Sequence, residues 1–402
     1  MNTNIKSLYR IAQKPTRTII GLMSGTSLDG LDVALCKISG AEKNTAVTLQ
    51  KFKTIPYSEV IKTEIRKVFA QKTIDFQHLA LLNEWIGILH ANLVLDCLQE
   101  WEVAPNEVDL IASHGQTVMH APKILHQQAQ FPNATLQIGD GDHIAVRTGI
   151  ITVSDFRQKH VAAGGEGAPL AVYGDYYLFG SEKENRIMLN LGGIGNFTFL
   201  PQNQNPENVF VTDTGTGNTL IDAFVKLHYP EMSYDKDAQI ARKGNVNPDL
   251  LQALKNNPFF KGPFPKTTGP ELFNLDYIKR AMTKSQTQNL AVADVLATLT
   301  RFSAETAAEA ILFAINQSKA TTDTITVYVS GGGIHNPLLM EYLKELLPCS
   351  FKNTNDLGIS GDAKEAILFA VLANETVAGG ATNFGAKKGI PSVTMGKISF
   401  PE

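Results

Sequence analysis

Residues 21–32 read Gly-Leu-Met-Ser-Gly-Thr-Ser-Leu-Asp-Gly-Leu-Asp. Glycines let a backbone turn its amides toward a phosphate with no Cβ in the way, and hydroxyls add donors. Gly25, Thr26, Ser27, Leu28, Asp29, Gly30, Leu31 and Asp32 therefore form a candidate phosphate loop. The segment lacks the GxxxxGK[ST] pattern, and it is followed by a strand rather than the helix a dinucleotide GxGxxG would open. An ordinary hairpin with solvent-facing serine and aspartate accounts for the local chemistry equally well. Residues 190–196, Asn-Leu-Gly-Gly-Ile-Gly-Asn, have the same character and add Gly192, Gly193 and Asn196.

Asp213 heads Asp-Thr-Gly-Thr-Gly-Asn at the end of an expected strand. A carboxylate there, pointing into a cleft, can serve as a general base. Helix N-capping by Asp213 or Asn218 explains it as readily. Gly331, Gly332 and Gly333 precede an expected helix, where a nucleotide can lie flat on backbone or the chain can simply turn. His114, beside Gly115 at another strand end, is a substrate-contact candidate or a histidine satisfied by backbone. Nine histidines include no HExxH, so a protein-caged catalytic metal is not expected. Cys36, Cys97 and Cys349 are single and far apart, which fits buried thiols in a reducing compartment.

The elements that must position these residues alternate. Strands are expected at 18–22 and 31–38, helices near 58–72 and 76–101, and short strands at 108–112 and 150–153. Leu82, Ile86, Leu89 and Leu93 give the second helix an amphipathic stripe. Strands at 187–191, 197–200 and 209–212 lead to a long helix at 292–316, a strand at 325–329, a helix from 336 and a last helix at 362–374. Strands ending in polar glycine-rich segments with helices between them predict an α/β fold binding ligand off the strand ends. One glycine-turn hairpin in each half predicts a duplicated architecture with a cleft between the halves.

A length of 402 residues predicts two domains, with a boundary near Ile151. Residues 1–18 read as a polar extension, frayed to about Pro15, without a signal-peptide core. No stretch is expected to span a bilayer, so the protein is expected to be soluble and cytoplasmic with no membrane partner. A net charge of −3, from 36 basic and 39 acidic residues, gives no basic surface for nucleic acid.

The motifs together resemble a known family. MSGTSLDGLDVAL (23–35), ASHGQT (112–117), DFR (155–157) with VAAGGEGAPL (161–170), and NLGGIGN (190–196) occur in the order of the anhydro-N-acetylmuramic acid kinases. DTGTGN (213–218), FPKTTGPELFN (264–274) and SGGGIHNPLLM (330–340) continue the match. Thr216 stands where the family pattern has proline, which leaves the geometry of that loop open. The resemblance covers the chain from about Thr18.

It implies a duplicated actin/hexokinase-like (ribonuclease H-like) α/β fold. Domain I is expected over 18–150 with 378–402, and domain II over 151–377. Residues 25–32 become the ATP phosphate loop and Asp213 the catalytic base. Asp155, Arg157, Ser113, His114, Gly115, Gln116 and Glu365 are implied around the sugar. The implied cofactors are ATP and Mg²⁺, with Asp29 meeting the metal through water. The implied reaction phosphorylates a small amino sugar, 1,6-anhydro-N-acetylmuramic acid, while opening its anhydro bridge, and the implied assembly is a homodimer. An ordinary sugar-hydroxyl kinase on the same fold, a chaperone-type ATPase and a non-catalytic sugar-binding module are the rival readings.

Overall fold

Strands β1 (Thr16–Ser24), β2 (Gly30–Ser39), β3 (Ala46–Pro56), β4 (Leu110–Ala121), β5 (Ala134–Ile138) and β6 (Thr152–Ser154) come first along the chain. They are followed by β7 (Asn185–Leu191), β8 (Ile194–Leu200), β9 (Phe210–Thr216), β10 (Ile325–Ser330), β11 (Ser350–Asn353) and β12 (Lys397–Ser399). The computed structural model describes residues 1–269, 271–318, 320, 324–359, 361–385 and 390–402. Pro270, within the 264–274 motif, and residues 386–389, within the expected return to domain I, lie outside the described residues.

Two sheets result. One runs β12-β6-β4-β1-β2-β3, with β5 beside β4, and the other runs β11-β10-β7-β8-β9. In the first, β1, β2 and β3 pair antiparallel, while β1 is parallel to β4 and β4 to β6. In the second, β7, β8 and β9 pair antiparallel, while β7 is parallel to β10 and β10 to β11. The order β3-β2-β1-β4-β6 is thus repeated as β9-β8-β7-β10-β11. Tight turns suffice for the antiparallel strands, but a parallel neighbour needs a crossover. Helices Phe76–Glu100 and Gly141–Thr148 lie on the crossovers of the first sheet, and Val292–Ser318 and Pro337–Leu346 on those of the second.

The chain divides into two units, Met1–Leu178 with Asp362–Glu402, and Phe179–Gly361. These limits differ from the expected exchanges at 150/151 and 377/378. The physical reason is sheet pairing: β6 and β12 pair with each other and β6 with β4, so both belong to the first sheet. Helix Lys364–Ala378 packs on β1, and a Cβ on Gly21 would fall 1.9 Å from Ala366 O. Only glycine allows that backbone approach.

The first core gathers Ile20, Leu22, Val33 and Ile111 with Leu82, Ile86, Val94 and Leu98 of helix Phe76–Glu100. Asp75 caps that helix, accepting from the amides of Gln77 and His78 at 2.9 and 3.2 Å. Contrary to the sequence expectation, its 25 residues are long and apolar enough to cross a membrane by length and composition; its stripe is instead core. The second unit packs Ile187, Leu189, Val327 and Val329 against the alanine-rich face of helix Val292–Ser318.

Three local expectations change. The N-terminal residues are a helix, Thr3–Ala12, capped by Asn2 rather than frayed. Its buried Asn4 donates to Glu402 O, and buried Arg17 just beyond it donates to Asn374 Oδ1 and Gly40 O, both at 2.6 Å. Residues 113–117 lie inside β4, not beyond its end, because β4 runs past its last β6 pair at Ser113 and continues antiparallel to β5 from Gln116. Asp213 likewise sits within β9, which runs on to Thr216 by pairing with β8.

Candidate active site

The turn between β1 and β2 is built so that its carbonyls face protein. Gln116 Nε2 donates to Gly25 O at 3.1 Å, the Tyr57 amide to Asp29 O at 2.9 Å, and Ser24 Oγ reaches Gly30 O at 3.2 Å. The amides of Thr26, Ser27 and Asp29 donate to no acceptor among the described residues, and these three residues are exposed. Leu28 takes a left-handed φ of 58° while its side chain stays in the core. That conformation costs a non-glycine residue roughly 1–2 kcal/mol, which core burial offsets. Free amides in a turn of mixed handedness form an anion-binding concavity.

The β7–β8 turn repeats this arrangement in the second unit. Gly193 O accepts from the amides of Gly217 and Thr219 at 2.8 and 3.1 Å. Gly192 O accepts from the Asn218 amide at 2.9 Å and from Asn218 Nδ2 at 3.1 Å. The amides of Gly192 and Gly193 have no acceptor among the described residues. Asn196 follows three residues after Gly193, in β8. Asn218 therefore does not cap helix Thr219–His228 with its side chain; it ties that helix's start to the hairpin. Buried Thr216 accepts from the Leu220 amide at 3.4 Å, a side-chain tie where the family pattern has proline.

Gly331–Gly333 pack onto the same place. Gly331 has φ 83°, and a Cβ there would lie 2.7 Å from Asn190 Oδ1; one on Gly333 would lie 2.6 Å from Leu191 Cβ. The glycine segments 192–193, 215–217 and 331–333 thus converge at the carboxyl end of β7.

Asp213 is not a cap. Its amide donates to Lys266 O at 3.0 Å, and its Oδ2 accepts from the Thr268 amide at 2.8 Å. The 266–268 segment therefore runs beside β9, the edge strand, and fixes the carboxylate. Burial raises the Asp213 pKa to about 6; the Thr268 hydrogen bond opposes this and the charge of Glu271 adds to it. Such a carboxylate is ionised at neutral pH yet basic enough to accept a proton.

In the first unit, Arg157 donates from Nε to His114 Nε2 at 2.8 Å and from Nη1 to Gly167 O at 2.6 Å. An accepting Nε2 puts the proton of neutral His114 on Nδ1. Burial, with Arg157 nearby, depresses the His114 pKa to about 3, so it stays neutral. Its ring packs 4.6 Å from Phe369. Desolvation brings Arg157 down to about 10, and Glu365 works the other way. Glu365 is exposed at the start of helix Lys364–Ala378, and desolvation raises its pKa with Arg157 opposing. Asp155, at a left-handed φ of 55°, accepts from Lys397 Nζ at 2.5 Å.

Ser113, His114, Gly115 and Gln116 are all buried in the protein. Gln116 is spent on the β1–β2 hairpin and His114 on Arg157, so these two side chains act through neighbours. The structure brings Arg157, His114 and Glu365 together, and separately Gly25–Asp32 with Gln116.

Asp29 accepts from Ser27 Oγ at 2.7 Å and Asp32 from Thr54 Oγ1 at 2.5 Å. Burial raises the Asp32 pKa, the Thr54 hydrogen bond opposes it, and the charges of Asp29 and Asp362 add to it. Mutually repelling carboxylates beside the free amides of this turn are a hard-oxygen donor set that fits hydrated Mg²⁺. Among the described residues no group of three His, Cys, Asp or Glu forms a direct cage.

Sequence reasoning missed Ser24, Tyr57 and His90 behind the first hairpin, and Asp222. Asp222 shares a helix face with Thr219, has no side-chain partner among the described residues, and is raised by burial to about 6. A polar residue one turn into a helix carries no sequence signal beyond an exposed face.

Two copies of one strand order, each with a hairpin whose carbonyls are held by the protein and whose amides are free, define a duplicated α/β fold of the actin/hexokinase class. A profile of the anhydro-N-acetylmuramic acid kinases matches residues 17–400. The anhydro-N-acetylmuramic acid kinase of Pseudoalteromonas atlantica is 55% identical over the full length of both chains. That of Caldanaerobacter subterraneus is 39% identical, covering 98% of this chain and 99% of its own. The chain belongs to the anhydro-N-acetylmuramic acid kinase family. Among solved structures, a Schistosoma mansoni hexokinase complexed with glucose is 12% identical, covers 90% of this chain and 86% of its own, and has a TM-score of 0.36. A dehydratase activator from Clostridium difficile with bound ADPNP is 9% identical, covers 90% and 96%, and reaches 0.38. Likenesses that low add nothing to the strand order above.

Proposed function

We propose that this chain transfers the γ-phosphoryl group of ATP to 1,6-anhydro-N-acetylmuramic acid and opens its anhydro bridge, giving N-acetylmuramic acid 6-phosphate and ADP in the recycling of cell-wall sugar. The observation that carries the reading is the pair of equivalent hairpins with inward carbonyls and free amides, accompanied by a carboxylate raised to about 6 at Asp213. Family membership supplies the substrate.

The bridged sugar has no free 6-hydroxyl. A water attacks C1 while Asp213 takes its proton; the C1–O6 bond breaks, and O6 attacks the γ-phosphorus as ADP leaves. Gly25–Asp32 bind phosphate through backbone amides, with Gly192, Gly193 and Asn196 in the matching hairpin and Gly331–Gly333 against the nucleoside. Arg157, held by His114, and Glu365 and Asp155 contact the sugar, with Ser113, Gly115 and Gln116 behind them. Positioning and charge neutralisation supply most of the acceleration in phosphoryl transfer. Mg²⁺, held through water by Asp29 with Asp32 nearby, would offset phosphate charge. The enzyme works as a homodimer in the cytoplasm.

The test is ATP turnover with and without the anhydro sugar, with the product identified by mass spectrometry. Sugar-dependent ADP release with N-acetylmuramic acid 6-phosphate is expected. ADP release indifferent to the sugar, or a phosphorylated product that keeps the bridge, overturns the reading.

A further inference from the structure

Behind the first hairpin lies a continuous buried chain of side-chain hydrogen bonds. Gln116 Oε1 is 2.6 Å from Ser24 Oγ, Ser24 Oγ is 2.9 Å from Tyr57 OH, and Tyr57 OH is 2.8 Å from His90 Nε2. All four residues are buried, Gln116 and His90 completely. They come from four elements: β4, β1, the segment after β3, and helix Phe76–Glu100.

The protons in this chain have one consistent arrangement. A glutamine Oε1 only accepts, so Ser24 must donate to it, sharing that proton with Gly30 O. Ser24 then accepts from Tyr57, and Tyr57 accepts from His90, whose proton sits on Nε2. Burial depresses the His90 pKa to about 4 and pushes the Tyr57 phenol upward, so neither group changes charge near neutral pH. The chain is therefore a fixed scaffold and not a relay.

Its far end grips the hairpin. Gln116 holds Gly25 O, Ser24 holds Gly30 O, and the Tyr57 amide holds Asp29 O. A carbonyl dipole facing a phosphate repels it, and an amide attracts it. Keeping these three carbonyls inward decides which face the turn shows to an anion. A buried polar network is costly, and this one leaves His90 Nδ1 without a hydrogen-bond partner among the described residues; an apolar set would fill this part of the core more simply.

We propose that Tyr57 is a positioning residue for nucleotide phosphate, acting through Ser24 and Gln116 on the backbone of residues 25–30, with His90 anchoring the chain. The proposal rests on reading this hairpin as the ATP phosphate loop. It makes Tyr57 a determinant of ATP affinity although the hydroxyl never touches ATP.

The experiment is Tyr57→Phe in the full-length chain, which removes one oxygen and leaves the backbone bond to Asp29 in place. KM for ATP, KM for the anhydro sugar, kcat and Tm are measured together. The expected result is a rise in KM for ATP of about three- to tenfold, the scale of one net hydrogen bond, with KM for the sugar within about twofold. Tyr173→Phe is the control, since buried Tyr173 donates to Pro391 O at 2.7 Å in the same unit. It should lower Tm and leave both KM values unchanged. If Tyr57→Phe fails to fold, Ser24→Ala, which cuts the chain at its next member, carries the same expectation. An unchanged KM for ATP in the folded variant, whatever its Tm, overturns the proposal. Loss of ATP-dependent turnover in the wild type would instead strike the reading of the loop, so the two failures are distinct.

Discussion

Asp213 and Thr268 are joined by a 2.8 Å hydrogen bond from the Thr268 amide to Asp213 Oδ2, so a loop 55 residues downstream aims the carboxylate that sits in an edge strand. That bond favours the ionised form, and burial opposes it more strongly.

Asp213→Asn should lower kcat by about 10²–10⁴, the usual worth of a positioned general base, while ATP still binds. It should also stabilise the protein at alkaline pH. A carboxyl group whose pKa rises from 3.8 to about 6 on folding costs nothing below the lower value. Its penalty grows as pH rises through the window and is full above about 6. The asparagine variant should therefore gain Tm at pH 8 and gain none near pH 4. Near-wild-type turnover, or an equal gain at both pH values, would contradict this account.

As the proposed base, Asp213 should also set the acid limb of activity. kcat/KM should climb as pH rises through about 6, because the base works only when ionised. The negative charge of Glu271 is one cause of the raised pKa. Glu271→Gln should move the limb to lower pH, and a limb that stays put or moves upward would exclude that influence.

Glycine substitutions in the first hairpin should separate binding from folding. A Cβ on Gly25 meets nothing closer than Ser27 Oγ at 3.7 Å, so Gly25→Val should fold normally. It should raise KM for ATP by about tenfold, equivalent to about 1.4 kcal/mol, by obstructing phosphate approach. A Cβ on Gly30 would fall 2.2 Å from Ile55 O, so Gly30→Val should lose stability outright. Isothermal titration with ATP and thermal melts distinguish the two; undiminished ATP affinity in Gly25→Val would move the phosphate site elsewhere.

Water incorporation separates bridge opening from ordinary hydroxyl phosphorylation. In ¹⁸O-water, mass spectrometry of the first product should find label at C1 and none in the phosphate, before the anomeric centre exchanges. A single first-formed anomer should be visible by rapid NMR, because an in-line opening admits water only opposite O6. Early product without label would remove the concerted hydrolysis and transfer.

Much of this site was legible in residue order. The β1–β2 and β7–β8 hairpins follow from aliphatic and β-branched runs interrupted by glycine, and their local character needs few long-range contacts. The helix at 76–100 is plain from its apolar period. The N-terminal helix was less plain, because its order depends on Asn4 and Arg17 finding partners near the other end of the chain. The 113–117 segment was misplaced at a strand end because its continuation depends on β5, a short strand with weak local signals.

The sequence by itself determined the α/β class and the two glycine hairpins, since these rest on local composition and spacing; spacing left Asp213 open between a base and a helix cap, and the family resemblance alone pointed to a base. Tertiary structure decided what those residues face. Gln116 turned from a prospective sugar contact into a ligand of the Gly25 carbonyl, and His114 into the acceptor that orients Arg157. Asp213 is held at the edge of its sheet by the Thr268 amide, and burial raises its pKa to about 6 against that bond. Whether a polar side chain meets ligand or protein depends on which distant atoms complete its hydrogen bonds and exclude its water, and those atoms are brought together only by the packed fold.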